Sequence, residues 1–486
     1  MDLHCFPRSD LPCYSRLFRF AALLIATLWL MLLPGTASSQ TSDDISRFNR
    51  DFHRLIETLY QTAAKHAATQ TTPIDALAAL DARLKSRIAS QDLIGAAALL
   101  RAQHTLLEDH IDDRLIFSMM RQQLQLGDRS AAQRMYDIIR REGEKSLLSN
   151  VSFIFAVDAM RQANWPAVID YSEGIYQDLA EDDAAYARLI TGVALQHLKQ
   201  HRKALDHYKQ IPPTSTYYLA GQLNSAIAYL RQGWWSDARR TIDKAVQNPV
   251  GETHREMINR LNLVLGYAML QQEYYRDARN AFRRIDLDSR YSNRALLGLA
   301  LSAANQTDYV GALNALNRLR EQSSIDLSVE ESRLLLGYVY QKLEQQMTAS
   351  ASYSEAIEYY QGRLDHLGSL AQHTDKTTTL LDRIDPQRHL IRLDDTLISY
   401  ADRFPPAFFS NLLMLDKLQH SLQQSSVSLP ASLTQRLRAL NSRGRTILQD
   451  VTEQLVAQRR EYLNSYLSQC RYGLASLYDS ALQQEP

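Results

Sequence analysis

Among side chains able to do chemistry, the densest group is Glu108-Asp109-His110-Ile111-Asp112-Asp113. Carboxylates beside an imidazole can bind a divalent cation. The run stands between two apolar-periodic segments, however, where Asp caps helices and solvates turns, and that is its expected role. His197, His201 and His207 follow one another at intervals that do not converge on one point, so they are expected as surface histidines. Glu181-Asp182-Asp183 carries the carboxyls that glycosidic chemistry needs but reads as a turn. A thiol nucleophile would have to be Cys470, which lies on an apolar stripe and is expected to pack in a core. The sequence contains no Gly-rich phosphate loop, no G-x-S-x-G elbow and no H-E-x-x-H helix. The expectation is a protein with no catalytic residues, no cofactor and no metal.

The elements that surround these groups are helical. Gly (17) and Pro (13) are scarce among 486 residues, and helix formers such as Leu, Ala, Gln and Arg are abundant. Hydrophobic residues make up 45% of the chain, enough to bury a sizeable core. Lys plus Arg equals Asp plus Glu at 54 each, which excludes the global basic field of a non-specific nucleic-acid binder, and no nucleic-acid partner is expected.

At the front, Arg8, Arg16 and Arg19 precede an apolar run from Phe20 to Leu33, then Pro34-Gly35-Thr36-Ala37-Ser38-Ser39. That order is read as a secretory leader over residues 1–37, cleaved after Ala37 or after Ser39, with an uncleaved anchor as the alternative. The run is shorter than the roughly 20 apolar residues that span a bilayer. Removal of the leader also removes Cys5 and Cys13, leaving Cys470 alone and no intramolecular disulfide. No transmembrane segment is expected in the remainder. The expected location is outside the cytoplasm, in a bacterial periplasm.

A repeat organises the middle of the chain. Small residues recur at Ala132, Ala167, Ala204, Ala238, Ala278, Ala312 and Ala349, mostly 34 to 37 residues apart. Four residues later stand Tyr136, Tyr171, Tyr208, Ile242, Phe282, Leu316 and Tyr353. Twelve residues earlier stand Met120, Phe155, Gly192, Ala226, Gly266, Ala300 and Gly337. Such a pattern suits pairs of short antiparallel helices that approach at small residues. Each pair leaves an apolar face that only a neighbour can cover. Thr253-His254-Arg255-Glu256 and Ser328-Val329-Glu330-Glu331 are predicted as capping boxes that open two first helices.

The pattern resembles the tetratricopeptide repeat family, best at Gly192-Leu195-Ala204-Tyr208, Gly266-Met269-Ala278-Phe282 and Gly337-Tyr340-Ala349-Tyr353. The resemblance covers about 110 to 360, and the Trp usual at the family's fourth position is absent. It implies an all-α protein: a right-handed α-solenoid of tetratricopeptide-like hairpins, followed by a C-terminal long-helix bundle. It also implies a concave face of first helices on which protein segments dock. The groove positions it carries onto this chain are Tyr186, Gln196, His197, Arg231, Arg260, Tyr267, Gln271, Arg294, Asn305, Tyr338, Gln341 and Lys342.

The flanks complete the layout. Residues 42–110 are read as N-terminal helices, either degenerate repeats or a cap, 111–362 as the array, and 363–486 as a C-terminal helical region. Within the last, Leu390 to Phe404 and Phe408 to Leu422 are predicted helices on either side of Pro405-Pro406. Beyond Pro430 an apolar stripe from Leu433 to Leu477 predicts one long helix or two joined near Gly444. The stripe is expected to lie along the array; the alternatives are pairing with a neighbour or a homo-oligomer contact. Rings around Arg403-Phe404-Pro405-Pro406-Ala407-Phe408-Phe409 are expected to be buried rather than to form a second docking surface. The functional expectation is a non-catalytic scaffold or adaptor of the cell envelope that binds protein partners. Two alternatives stand beside it: an enzymatic or enzyme-activating subunit acting on an envelope polymer, and a structural subunit of a secretion or energy-transducing assembly.

Overall fold

The computed structural model describes residues 39–70, 74–246, 251–322, 326–372, 380–385, 390–393, 396–399, 404–425 and 427–482. The expected leader at 1–37 lies outside the described residues. Among those described, no helix is long and apolar enough to cross a membrane.

Helical hairpins follow one another through the chain. Hairpin one pairs Leu77–Ala89 with Leu93–Ala102, and hairpin two Leu115–Gln125 with Arg129–Glu142. Hairpin three pairs Lys145–Arg161 with Trp165–Ser172, and hairpin four Glu181–His197 with His201–Lys209. Hairpin five pairs Tyr218–Arg231 with Trp235–Val246, and hairpin six Gly251–Gln271 with Tyr275–Phe282. Hairpin seven pairs Ser292–Asn305 with Tyr309–Arg320, and hairpin eight Leu327–Lys342 with Gln346–Gln372. The fold is an all-α solenoid.

One backbone device makes every turn. Gln91, Gly127, Ala163, Lys199, Gly233, Glu273, Thr307 and Glu344 all adopt positive φ, between 56° and 77°. The next residue donates its N–H to a carbonyl five residues back, at 2.8–3.0 Å, from Asp92 on Arg87 to Gln345 on Tyr340. This is the Schellman closure of a first helix, and the donating residue then starts the second. Asp92, Asp128, Asn164 and Asp308 also cap that second helix with their side chains.

The turn sets the register. Five residues after each positive-φ residue stand Ala96, Ala132, Val168, Ala204, Ala238, Ala278, Ala312 and Ala349, all fully buried. Two corrections follow for the sequence alignment. The series begins one hairpin earlier than Ala132, at Ala96. In hairpin three the equivalent position is Val168, not Ala167, which is only half-buried. Tyr171, four residues after Ala167, mimics the large residue of the repeat. Its ring leans instead on Tyr136 and Phe155 of neighbouring helices, and its hydroxyl bonds Gln133.

The large residue of each second helix packs on the small residues of the first helices. A Cβ at Gly192 would collide with the Tyr208 ring, and one at Gly337 with Tyr353. Phe282 is held from two sides, by Gly266 of its own hairpin and Gly298 of the next. The capping boxes shift. Hairpin six already begins at Gly251, ahead of Thr253. In hairpin eight Asp326 rather than Ser328 is the cap, accepting from Ser328 N. A short acidic side chain just outside the helix reaches the free N–H groups first.

The helix Ser39–Gln70 packs on the second helix of hairpin one, and Pro406–Gln424 packs on both. Phe404, Phe408 and Phe409 are buried there, so they offer no docking surface. Among the described residues of the predicted helix Leu390 to Phe404, two strands stand instead. Strands β1 (Ile384–Asp385), β2 (Leu390–Leu393) and β3 (Thr396–Ser399) form an antiparallel sheet in sequence order. Leu393 pairs with Thr396. The β-branched and apolar residues of the two strands outweigh the helical reading of that stretch.

The apolar stripe belongs to one helix, Ala431–Leu482. Its Gly444 is no break: a Cβ there would strike Phe48 and Leu412. The first half, Leu433 to Leu455, joins the core of the N-terminal bundle; the second, Leu463 to Leu477, joins the core of hairpins four to eight. At 1.5 Å per residue it reaches about 78 Å. The stripe that could have served a second copy is therefore consumed within the chain.

Two substitutions test the turn and the ring seat. Thr307→Gly relieves a β-branched residue of a left-handed conformation and is expected to raise stability by about 1 kcal/mol. Gly192→Ala is expected to lower it by roughly 1–3 kcal/mol through overpacking. Urea midpoints moving in opposite directions would confirm both assignments.

Candidate partner-binding groove

First helices of successive hairpins pack directly on one another from hairpin three to hairpin eight. Second helices pack on the first helix of the next hairpin and are tied to each other by ion pairs such as Arg239–Asp277 at 3.2 Å and Arg320–Glu355 at 2.8 Å. Closer spacing on one side curves the array toward the first helices, which form its inner wall.

On that wall, positions eleven residues apart share a helix face. In hairpins three to eight they are Asn150 and Arg161, Tyr186 and His197, Ala220 and Arg231, Arg260 and Gln271, Arg294 and Asn305, and Glu331 and Lys342. The second member of each pair is the last residue of its helix. A cation there also complements the negative end of the helix dipole, so these groups serve their helices as well as the surface.

The predicted residues divide by environment. Lys342 is exposed, with its Nζ 5.6 Å from the centre of the half-buried Tyr338 ring. His197 is exposed at its edge and stacks flat on Trp165, centroids 4.0 Å apart and planes 4° apart. Arg231, Arg260, Gln271, Arg294 and Asn305 are half-buried, and the amide of Asn305 bonds its own helix at Leu301 O, 2.8 Å away. Tyr186 is a rung between Phe153 and Tyr217, centroids 6.1 and 4.8 Å away. Tyr267 stands edge-on to Phe282 and donates its hydroxyl to Arg294 O at 2.8 Å. Tyr186 and Tyr267 thus join repeats. Gln196 is removed from the wall altogether: it is buried, accepts from Tyr208 Oη at 2.6 Å and donates to Asn224 O at 3.0 Å. Gln341 likewise accepts from Tyr353 Oη at 3.2 Å.

The long helix closes one end of the wall. Arg459 Nη2 lies 2.5 Å from both carboxylate oxygens of Glu330; these side chains are 3% and 1% exposed. Arg363 Nε lies 3.5 Å from the same carboxylate, Tyr359 donates to it at 3.3 Å, and Tyr360 donates to the Glu330 carbonyl at 2.5 Å. Next to this pair Glu331 occupies the position of Arg260 and Arg294, and it is buried against Tyr466. Burial pushes its carboxyl up to about 7, against partial relief from the Tyr466 hydrogen bond. The Glu331 carboxylate in turn adds to the burial that raises the hydroxyls of Tyr462 and Tyr466 on the long helix, Tyr360 of hairpin eight and Tyr267 of hairpin six. Among the described residues, the long helix makes no extensive packing with the first helices of hairpins four to seven.

The arrangement on this wall offers rings and cations. Cys470 is fully buried and its thiol is pushed up to about 12 by burial, so it is no nucleophile. Among the described residues no three His, Cys, Asp or Glu are grouped as a metal would need. No family model matches the sequence, and no curated protein matches it. Among solved structures, the human IFIT1 dimer with m7Gppp-AAAA aligns at 11% identity over 85% of this chain and 95% of that one, with a TM-score of 0.30. The TPR domain of P58(IPK) aligns at 12% identity over 76% of this chain and 98% of that one, with a TM-score of 0.18. The fold assignment rests on the hairpin geometry itself.

Sequence reasoning missed Arg161, although it holds the same register as Arg231. It also missed Glu331, whose frame position among arginines was legible but whose cover was not. The raised carboxyl of Glu331 gives a signed prediction. The folded state holds this proton more tightly than the unfolded chain, where the usual value is 4.5. The contribution of this group to stability is therefore greatest below that value and is lost as pH rises through 7, by up to about 3 kcal/mol. Glu331→Gln is expected to flatten the decline between about pH 5 and 8, read by thermal unfolding at each pH.

Proposed function

We propose that this chain is a non-catalytic scaffold or adaptor of the cell envelope, exported by its N-terminal leader, whose concave wall binds extended segments of partner proteins. The observation that carries the reading is the charge on that wall. Across hairpins three to eight the paired positions present Arg161, His197, Arg231, Arg260, Arg294 and Lys342. The single carboxylate among them, Glu331, is withdrawn beneath the long helix. A wall with several cations and no accessible acid at these positions favours a segment rich in Asp and Glu. Arg adds planar donors for carboxylates and main-chain carbonyls, and the exposed edges of Trp165 and Tyr338 add apolar area at small entropic cost. The leader supports the location, since it has the order of a basic stretch, an apolar run and small residues.

Photo-crosslinking in the native compartment tests the reading. A photoreactive residue at position 231 or 294 is expected to capture a discrete partner, whereas one at Arg240, exposed on the outer face, is not. Arg260→Glu combined with Arg294→Glu is expected to reduce the adduct at 231 roughly tenfold or more, as loss of two charge contacts would. Equal capture from both faces, or adducts indifferent to charge reversal, would overturn it.

A further inference from the structure

The second half of the long helix takes the place of a ninth first helix. Tyr353 marks the equivalence. Its ring is seated on Gly337 of its own hairpin and on Gly473 of the long helix, as Phe282 is seated on Gly266 and on Gly298 of the next hairpin. The long helix also packs on both helices of hairpin eight, as each first helix of hairpins three to eight packs on both helices of the hairpin before it.

The frame then names the next position. Two residues after Gly298 stands Ala300, the seat for the large residue of its own second helix. Two residues after Gly473 stands Ala475. Hairpin five has the same residue types in this frame, with Ala226 in the seat and Tyr229 three residues on, matching Ala475 and Tyr478. In hairpin five the face is closed: Trp235–Val246 packs on it, Ala226 is fully buried, and the Tyr229 ring meets Trp234 with centroids 6.0 Å apart. On the long helix the same face is open. Ala475 is exposed, and Tyr472 and Tyr478, three residues to either side, are 61% and 59% exposed. Among the described residues no helix covers this side.

The array also shows what such a seat takes. Where the seat is Gly, in hairpins four, six and eight, the occupant is a ring: Tyr208, Phe282 or Tyr353. Where it is Ala, at Ala226 and Ala300, the residue in register is Ile242 or Leu316, each fully buried. A methyl group on the seat leaves room for a branched aliphatic side chain rather than a ring. Ala475 therefore calls for Ile or Leu. The same face of a second copy would bring Tyr472 and Tyr478, which are rings.

We propose that this face binds an amphipathic helix of a partner protein, which completes a ninth hairpin by seating an Ile or Leu on Ala475, with a small residue four positions before it. Such docking is a helix-in-groove contact that continues the interface already repeated along the array. The site is separate from the concave wall and does not rest on its charge.

A labelled, helix-stapled peptide of residues 235–246, the second helix of hairpin five, tests it by fluorescence anisotropy with the full chain. Saturable binding is expected below about 1 mM. Ala475→Arg, on an exposed position where folding is not at stake, is expected to weaken it roughly tenfold or more, and Ile242→Ala in the peptide by a comparable factor. Ile242→Phe in the peptide is expected to bind several-fold more weakly, and Ala475→Gly in the chain to reverse that preference. Absence of saturable binding would overturn the proposal, as would binding indifferent to Ala475→Arg. A dimer seen by light scattering and abolished by Ala475→Arg would assign the face to a second copy and overturn it as well.

Discussion

The seating of a ring on a glycine controls the geometry of this protein. Phe282, pinned between Gly266 and Gly298, shows the principle: a large side chain on a second helix fits because the facing first helices have no side chain at that point. The contact brings first helices together while second helices remain apart, joined by ion pairs. Curvature follows from that inequality, and the inner wall follows from the curvature. The groups on the wall are thus placed by packing several residues away from them, and each hairpin repeats the placement because each turn repeats the same left-handed residue and backbone closure.

Buried polar groups mark where the solenoid meets other elements. Glu330 with Arg459 joins the long helix to hairpin eight; Arg101 with Asp128 and Glu57 joins the N-terminal helix to hairpins one and two. Ion pairs this deep add little net stability against apolar substitutes, but they are costly to mispair. They therefore fix which surfaces dock. Glu331 differs from them in having only a tyrosine for company, which leaves its carboxyl near neutrality in its titration.

How much of this was legible in the sequence depends on the range of the interaction. Ala204, Ala238, Ala278 and Ala312 announced the array because packing of a helix on its own hairpin partner is written within a dozen residues. The slip at Ala167 arose because an aromatic at Tyr171 mimicked the expected spacing, while the true position, Val168, is defined by the turn at Ala163. The misread helix at Leu390 failed because short apolar stretches carry no period long enough to separate strand from helix. On the wall, the register of Arg231, Arg260 and Arg294 could be read directly. The burial of Gln196 and Glu331 and the tie of Tyr267 to the next hairpin could not, since they come from Tyr208, from a helix more than a hundred residues later, and from Arg294.

The long helix gives the array a property that open solenoids lack. Gln454 bonds Thr41 at 2.8 Å, and nineteen residues on Gly473 lies against Tyr353. A stack of hairpins held only by its neighbours behaves as a spring, free to stretch and to nucleate anywhere. Here a stiff rod joins the first coil to the last and holds their separation constant. The spring is thereby clamped at one length, so its trough keeps a set pitch for whatever lies along it. The clamp also closes a loop of about four hundred residues, and such closure is slow to find. Hairpins can form one by one as the chain is made, but the final shape must wait for the last helix to arrive.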